Sequence, residues 1–289
     1  MSFRYREIEL SDPDMAKAVL ALAGRAFGHV GGLHDLKKLI HMPESGKEPL
    51  CLGAFWENTL VGFLACTPHR FLFERAPLLL YQPAWAVTDY EHRGKGIFRS
   101  LIQQAEEVLK GDGVGGMFAS PNPLSGPVFT GPLGFSHLGP LMVGTSVGNN
   151  GIVKSELTDV STHRFAPVVE DLLAWQRRRL GDETIFYQKD EEGNSIWARK
   201  RYMKKLGIQV PYWLVGGLEA RHSEALGELL STFPRPWLRL FFMTKNSRYL
   251  PFFKHVRPST SQYLVWKSYD KNLPHHPSFD AMMGLFDHY

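Results

Sequence analysis

Along the first half of the chain the apolar positions switch repeatedly between alternation and helical spacing. Phe3–Glu9 alternates and predicts a strand, closed by Ser11-Asp12-Pro13-Asp14, a cluster that caps and opens a helix. Met15, Val19, Leu20, Leu22 and Ala23 then recur at helical spacing as far as Ala26-Phe27-Gly28, and His34–Leu39 predicts a second, short helix. Leu50–Trp56 and Leu60–Phe73, joined through Glu57-Asn58-Thr59, predict a hairpin, and Leu78–Val87 the next strand. From Gly94 to Lys110, Ile97, Leu101, Ala105 and Val108 share one helix face, with Gln104, Glu107 and Lys110 on the other. Gly115–Ala119 reads as a short buried strand, a helix follows Pro123, and Phe135–Val147 is extended again.

Gly148-Asn149-Asn150-Gly151 breaks the pattern and predicts a joint. Beyond it Val168, Leu172, Leu173, Trp175 and Leu180 mark a helix. A helical Ile196–Leu206, a strand Pro211–Val215, a helix Ala220–Leu230 and strands Trp237–Met243 and Gln262–Trp266 follow. The expected class is α/β with a mixed sheet. The expected division is 1–148, a linker at 149–160, and a second unit at 161–289 whose element order loosely repeats the first. Phe233, Trp237, Phe241, Phe242, Phe252 and Phe253 are expected to form the second core.

At 289 residues the chain suits two such units. Its apolar runs are too short to span a bilayer, and Met1–Glu7 alternates like a strand rather than a leader. Cys51 and Cys66, both in apolar strands, read as buried thiols of a reducing compartment, so a cytoplasmic protein is expected. The net charge of +4 is spread out. Its clusters, Arg177-Arg178-Arg179 and Arg199-Lys200-Arg201 with Lys204-Lys205, fall on helical patterns and read as solvated faces, not a nucleic-acid track. His275 and His276 stand between prolines with no ligand partners at metal spacing, so an exposed loop and no metal are expected.

Chemistry concentrates in Ala86–Ile102. There a strand ends, the chain turns through Asp89–His92, and Arg93-Gly94-Lys95-Gly96 opens a helix at Ile97-Phe98. Free amides and the positive end of the helix dipole meet at such a point, and glycines let a ligand approach the backbone. With Arg93 and Lys95 adjacent, the stretch reads as a pyrophosphate cradle. Gly111-Asp112-Gly113-Val114-Gly115-Gly116 matches a dinucleotide fingerprint letter for letter, but these glycines follow a helix and lead into a strand, the reverse of what that fingerprint requires. A helix end and loop is the expectation there.

The segment Arg93–Phe98 resembles the acetyl-CoA motif of the GNAT N-acetyltransferase superfamily, Gln/Arg-x-x-Gly-x-Gly/Ala. One position departs in either register: Glu91 leads if Gly94 and Gly96 are matched, and Phe98 closes if Arg93 and Gly96 are. Phe118-Ala119-Ser120-Pro121-Asn122-Pro123, then Ser125, then Leu133-Gly134-Phe135 is similar to the family's next strand, its Asn-led helix and its closing Leu-Gly-Phe. The likeness covers about residues 1–148. It implies a GNAT fold with splayed central strands, and a second GNAT-like half lacking a cradle, as in tandem acetyltransferases, with a divergent second domain of another fold as the alternative.

The resemblance further implies acetyl-CoA, or another acyl-CoA, as cosubstrate. Trp85, Ala86 and Val87 would pair with the pantetheine arm. Arg93, Gly94, Lys95, Gly96, Ile97 and Phe98 would hold the diphosphate, with Asn122 and Ser125 nearby. Asn122 followed by Pro123 also reads as an ordinary helix start. The family's usual acid, a tyrosine four residues before the Gly of Leu-Gly-Phe, is Thr130 here. No glutamate lies in Leu78–Val87, where Tyr81 and Gln82 are the polar residues. Tyr81 and Thr130 are therefore the catalytic candidates, with another hydroxyl such as Ser125, or solvent, as the alternative acid, and the tail Asp287-His288-Tyr289 is a further source of a base. The expected reaction is direct acyl transfer to an amine of a small molecule or peptide, with neither a nucleic-acid nor a membrane partner. A CoA-binding regulatory module without catalysis, or an enzyme acting on a thiol or acyl thioester, are the alternatives.

Overall fold

The structure is a computed structural model and describes residues 2–28, 31–147, 152, 164–181, 184–205, 207–234, 238–245 and 247–279. The joint at 148–151, the linker, Trp237 and the tail Asp287–Tyr289 lie outside the described residues.

Strands β1 (Arg4–Glu7), β2 (Leu50–Trp56), β3 (Thr59–Phe73), β4 (Ala76–Thr88) and β5 (Gly116–Ala119) lie side by side in that order. The first four pair antiparallel, and β5 joins β4 in parallel. Helix α1 (Pro13–Phe27) starts where Asp12 accepts the Asp14 and Met15 amides, with Pro13 in the first turn where no donor is needed. With α2 (Leu33–Ile40) it covers one face of the sheet, burying Val19, Leu22, Leu36 and Ile40 against Phe63 and Ala65. Helix α3 (Ile97–Gly111) covers the other, burying Ile97, Leu101, Ile102, Ala105 and Leu109 against Val61, Leu64 and Cys66. Each such leucine or isoleucine contributes about 1.5–3 kcal/mol on leaving water. The short α4 (Gly126–Thr130) leads to β6 (Ser136–Val147).

The sheet continues through the second half. It comprises β7 (Arg164–Pro167), β8 (Ile185–Lys189), β9 (Ser195–Lys205), β10 (Ile208–Glu219), β11 (Leu238–Met243), β12 (His255–Ser268) and β13 (Ser278–Phe279), with α5 (Val169–Leu180) and α6 (Ser223–Ser231). After β5 the order is β12, β6, β11, β10, β9, β8. Strand β12 thus stands between β5 and β6, and β6 pairs with β11. The two halves are laced into one sheet by exchanged strands. Lys267 of β12 reinforces the lacing: its ammonium donates to both Glu106 oxygens of α3 at 2.8 Å and to the Leu133 carbonyl at 2.6 Å.

Ile196–Leu206 corrects the helix expected there. Residues 195–205 are a strand, paired with β10 over Ser195–Lys205 and with β8 over Ser195–Arg199. Ala, Arg, Lys and Met favour helix only weakly, and pairing on both edges outweighs that preference. The basic cluster at 199–205 therefore lies on a strand, while Arg177–Arg179 lies in the last turn of α5. Strands β7 and β8 have no counterpart in the expected elements. Of the aromatics assigned to a second core, Phe233, Phe241, Phe252 and Phe253 do cluster. Phe242 points the other way along β11, onto the cluster around Trp175 and Trp266.

Candidate active site

Strands β4 and β5 are in register only at Leu80–Gly116 and Tyr81–Met117. Just beyond, β4 carries a bulge at Ala84: Trp85 faces Ala65 and Pro83 faces Cys66, leaving Ala84 without a partner. Pro83 also lacks an amide to donate. Past this point the strands part, and a cleft of about 840 Å³ opens between Pro83–Thr88 on one side and Ala119–Asn122 on the other. On its β3 edge β4 stays paired, Ala86 opposite Leu64 and Val87 opposite Phe63. The β5 edge of the same residues is open to a ligand, and backbone groups there require partners once covered.

The cleft runs up to the start of α3. Gly94 and Gly96 have φ of +75° and +79°, a region that glycine enters without steric cost. Gly96 is the N-cap residue and contributes no side-chain cap. The first bond of the helix is Ser100 N–H to Gly96 C=O at 3.0 Å, so the amides of Ile97, Phe98 and Arg99 have no helical acceptor. Arg93, Lys95 and Arg99 line the same end. A loop of three cations around free amides at a helix start fits a diphosphate. Asp89 anchors the preceding turn. Burial works to raise its carboxyl, but the Arg25 guanidinium (2.9 and 3.2 Å) and the Glu91 amide (3.1 Å) hold it below its ordinary value.

Of the residues expected at the site, Ala86, Val87, Arg93, Gly94, Lys95, Gly96, Ile97, Phe98, Asn122 and Ser125 all line this cleft. Trp85 does not; its ring packs on Phe27 and Phe63 beneath α1. Asn122 forms a turn ahead of α4, whose N-cap is Ser125, its side-chain oxygen accepting from the Leu124 amide (3.0 Å), the Ser125 amide (2.9 Å) and the Ser125 hydroxyl (3.1 Å). Its side-chain amide group is what remains for a ligand.

The two catalytic candidates are not brought to the cleft. Tyr81 is buried at the vertex of the V that β4 and β5 form where they part, its hydroxyl donates to the Glu48 carbonyl at 3.2 Å, and burial pushes its pKa up to about 12. Thr130 is exposed, its hydroxyl donating back to the Gly126 carbonyl at 3.2 Å. Gln82, opposite Thr67, is buried on the other face from Tyr81. Sequence reasoning missed Phe27, His92, Arg99, Val128 and Phe129 in the lining. Arg99, three residues past Gly96, carried a readable signal; Phe27 reaches the cleft only through the packing of α1 on β4.

The second half carries a related pairing. Strands β10 and β11 pair in parallel over Trp213–Val215 and Arg239–Phe241, and a bulge at Gly216 follows at once. There the Trp197 ring lies so close that a Cβ on Gly216 would meet it at 2.0 Å. Fully buried Tyr249 packs with Leu218 and Phe241, and its hydroxyl accepts from the Ala220 amide at 3.2 Å.

Comparison with known proteins agrees with this architecture. Residues 5–138 match the family model described as an acetyltransferase (GNAT) domain. A search of curated proteins returned no match. Among solved structures, a GCN5-related N-acetyltransferase from Kribbella flavida superposes with a TM-score of 0.60 at 15% identity, covering 92% of this chain and 71% of that one. A GCN5-related N-acetyltransferase from Anabaena variabilis gives 0.62 at 11% identity, over 93% and 73%. Eis1 from Mycobacterium abscessus gives 0.55 at 13%, over 93% and 74%. At these identities the likeness is one of fold, and it extends over nearly the whole of this chain. Residues 5–138 thus match the GNAT acetyltransferase domain model, and the chain shares the fold of these GCN5-related N-acetyltransferases over nearly its whole length.

Proposed function

We propose that this protein transfers an acetyl or other short acyl group from acyl-CoA to an amine of a small molecule or peptide. The observation that carries this reading is the parting of β4 from β5 directly in line with a helix start preceded by Arg93-Gly94-Lys95-Gly96. One end of the cleft suits a diphosphate, and the other offers an unpaired strand edge to an extended arm. The amides of Ile97 to Arg99 would bind the phosphates. The open edge of Ala86 and Val87 would pair with the pantetheine amides. A carbonyl lying near Val87 would be polarised by a main-chain N–H aimed at it.

An amine of the lysine type, with a reference pKa near 10.4, costs about 4–5 kcal/mol to deprotonate at pH 7. A base, directly or through water, offsets part of that cost. Attack in a ternary complex forms the amide bond and releases the CoA thiolate, which takes up a proton. The buried thiols of Cys51 and Cys66 stand in the sheet core, which supports direct transfer without an acyl-enzyme. Only the first half would hold CoA, since the second has no counterpart of Arg93-Gly94-Lys95-Gly96. Two free cysteines also support placing the protein in the cytoplasm. Among the described residues no helix is long and apolar enough to cross a membrane.

The alternative, a CoA-binding module without catalysis, has one observation in its favour: among the described residues lining the cleft there is no carboxylate and no tyrosine. Calorimetry with CoA, beside thiol release from acetyl-CoA over a panel of amines, tests both readings. Binding with turnover on an amine is the expected result. Binding without turnover on any acceptor would favour the module, and no binding would overturn both.

A further inference from the structure

A second cleft, of about 820 Å³, lies at the far end of β3 and β4. Its walls are the β3–β4 turn at Glu74-Arg75, the start of α5, the β8–β9 turn at Gly193 and the segment after β10 at Arg221. The turn is nine residues before Ala84 on an extended strand, which puts the cleft roughly 30 Å from the V at about 3.3 Å per residue. We propose that this cleft binds a phosphate-bearing small molecule, at a site separate from the CoA cradle and independent of the acyltransferase reading.

Three sets of donors converge there. Helix α5 is 12 residues long and its N-cap residue, Val168, has no side-chain acceptor to offer. Its first bond is Leu172 N–H to Val168 C=O, so the amides of Val169, Glu170 and Asp171 have no helical acceptor, and the positive end of the dipole faces the cleft. Ser195, 1% exposed, lines the cleft, and its hydroxyl oxygen has no hydrogen-bond partner among the described residues. Alternation along β9 puts Ser195 on the face of Trp197, which packs against Val169 of α5, while Ile196 enters the core on the opposite face. The hydroxyl therefore points toward the same helix start. A buried hydroxyl left without a partner is costly, and a bound oxyanion would satisfy it.

The third set is cationic. Among the described residues, the side chains of Arg75 and Arg221 make no ion pair. Two of the three acids of the cleft are neutralised: Arg248 donates to Glu219 at 2.7 Å with Arg164 at 3.8 Å, and Lys189 donates to Glu170 at 3.0 Å, while Glu74 lies in the turn beside Arg75. Asp171, in the same first turn, is held by Arg70 at 2.6 and 2.7 Å. Besides Glu74, two guanidinium groups, main-chain amides and a hydroxyl line the cleft from different sides. That set matches the several acceptor oxygens and double charge of a phosphate monoester better than a planar carboxylate.

The test is calorimetric titration of the full chain with inorganic phosphate while CoA is present at saturation, so that the cradle cannot be the site read. Repeating it on Gly96→Asp, with the cradle blocked, keeps the result independent of whether CoA binds. We expect saturable binding that weakens about tenfold in Ser195→Val and in Arg221→Ala, with thermal midpoints and CoA affinity unchanged, and acetate competing at least tenfold more weakly than phosphate. Absence of saturable phosphate binding, equal affinity in both variants, or equal competition by acetate would overturn the proposal.

Discussion

Replacing Gly96 by aspartate should abolish most CoA binding while leaving the fold in place. Gly96 adopts φ +79° and ψ +5°, and a Cβ there would have the Arg99 guanidinium 3.8 Å away as its nearest neighbour. The folded chain has room for it. The backbone cost for an L-residue in this region is about 1–2 kcal/mol, less for aspartate, which visits it more readily. An acidic group at a helix start returns about 0.3–1 kcal/mol, so the net change in stability should stay under about 1 kcal/mol. Binding responds differently. A carboxylate about 4 Å from a phosphate charge is repelled by about 1 kcal/mol in water and about 4 kcal/mol at a partly buried surface. At the lower figure, two phosphate charges give about 2 kcal/mol, roughly a 30-fold loss of affinity. Gly96→Asn adds the same bulk without the charge and should lose less. Calorimetry with CoA at two salt concentrations reads both terms, since screening shrinks only the charge-dependent part. Unchanged CoA affinity in Gly96→Asp would refute the cradle, and equal losses for Asp and Asn would refute the electrostatic part of the reasoning.

Further predictions concern the scaffold. Lys267→Met leaves Glu106, 6% exposed, without its main partner and should cost about 3–5 kcal/mol in urea unfolding, most of it recovered in Lys267→Met/Glu106→Leu. Burial pushes the Cys51 thiol up to about 12, and that of Cys66 up as well, so neither should react with a disulfide reagent at pH 8 until the chain unfolds. Unfolded thiols ionise near 9 while the folded one at Cys51 stays protonated. The folded state then binds more protons, so stability present below pH 9 should be lost as the pH rises toward 12, a slope that denaturation at stepped pH checks. Glu57, at φ +55° in the two-residue β2–β3 turn, occupies a position suited to glycine. Glu57→Gly relieves about 1–2 kcal/mol of backbone strain against about 0.5–1 kcal/mol of added chain entropy, so a small rise in thermal midpoint is expected.

The sequence by itself determined what depends on near neighbours. Asp12 before Pro13, the alternation of β2 and β3, the apolar stripe of α3 and the glycines of the cradle are local signals, and each structural element follows within a few residues of where the pattern puts it. The glycine-rich stretch at 111–116 also reads correctly as a helix end leading into β5. Local preference failed where pairing partners lie far away along the chain: residues 196–205 look helical and become a strand because β10 bonds one edge throughout and β8 bonds the other as far as Arg199. Tertiary structure alone decided that β12 stands between β5 and β6, lacing the halves into one sheet. It also turned Thr130 outward, buried Tyr81 beneath the vertex of the V, and brought Phe27 to the cleft and Ser195 to the start of α5. The physical reason is that a helix or hairpin is specified by contacts a few residues apart. A cleft is specified by which distant strands fail to meet, and no local pattern encodes that.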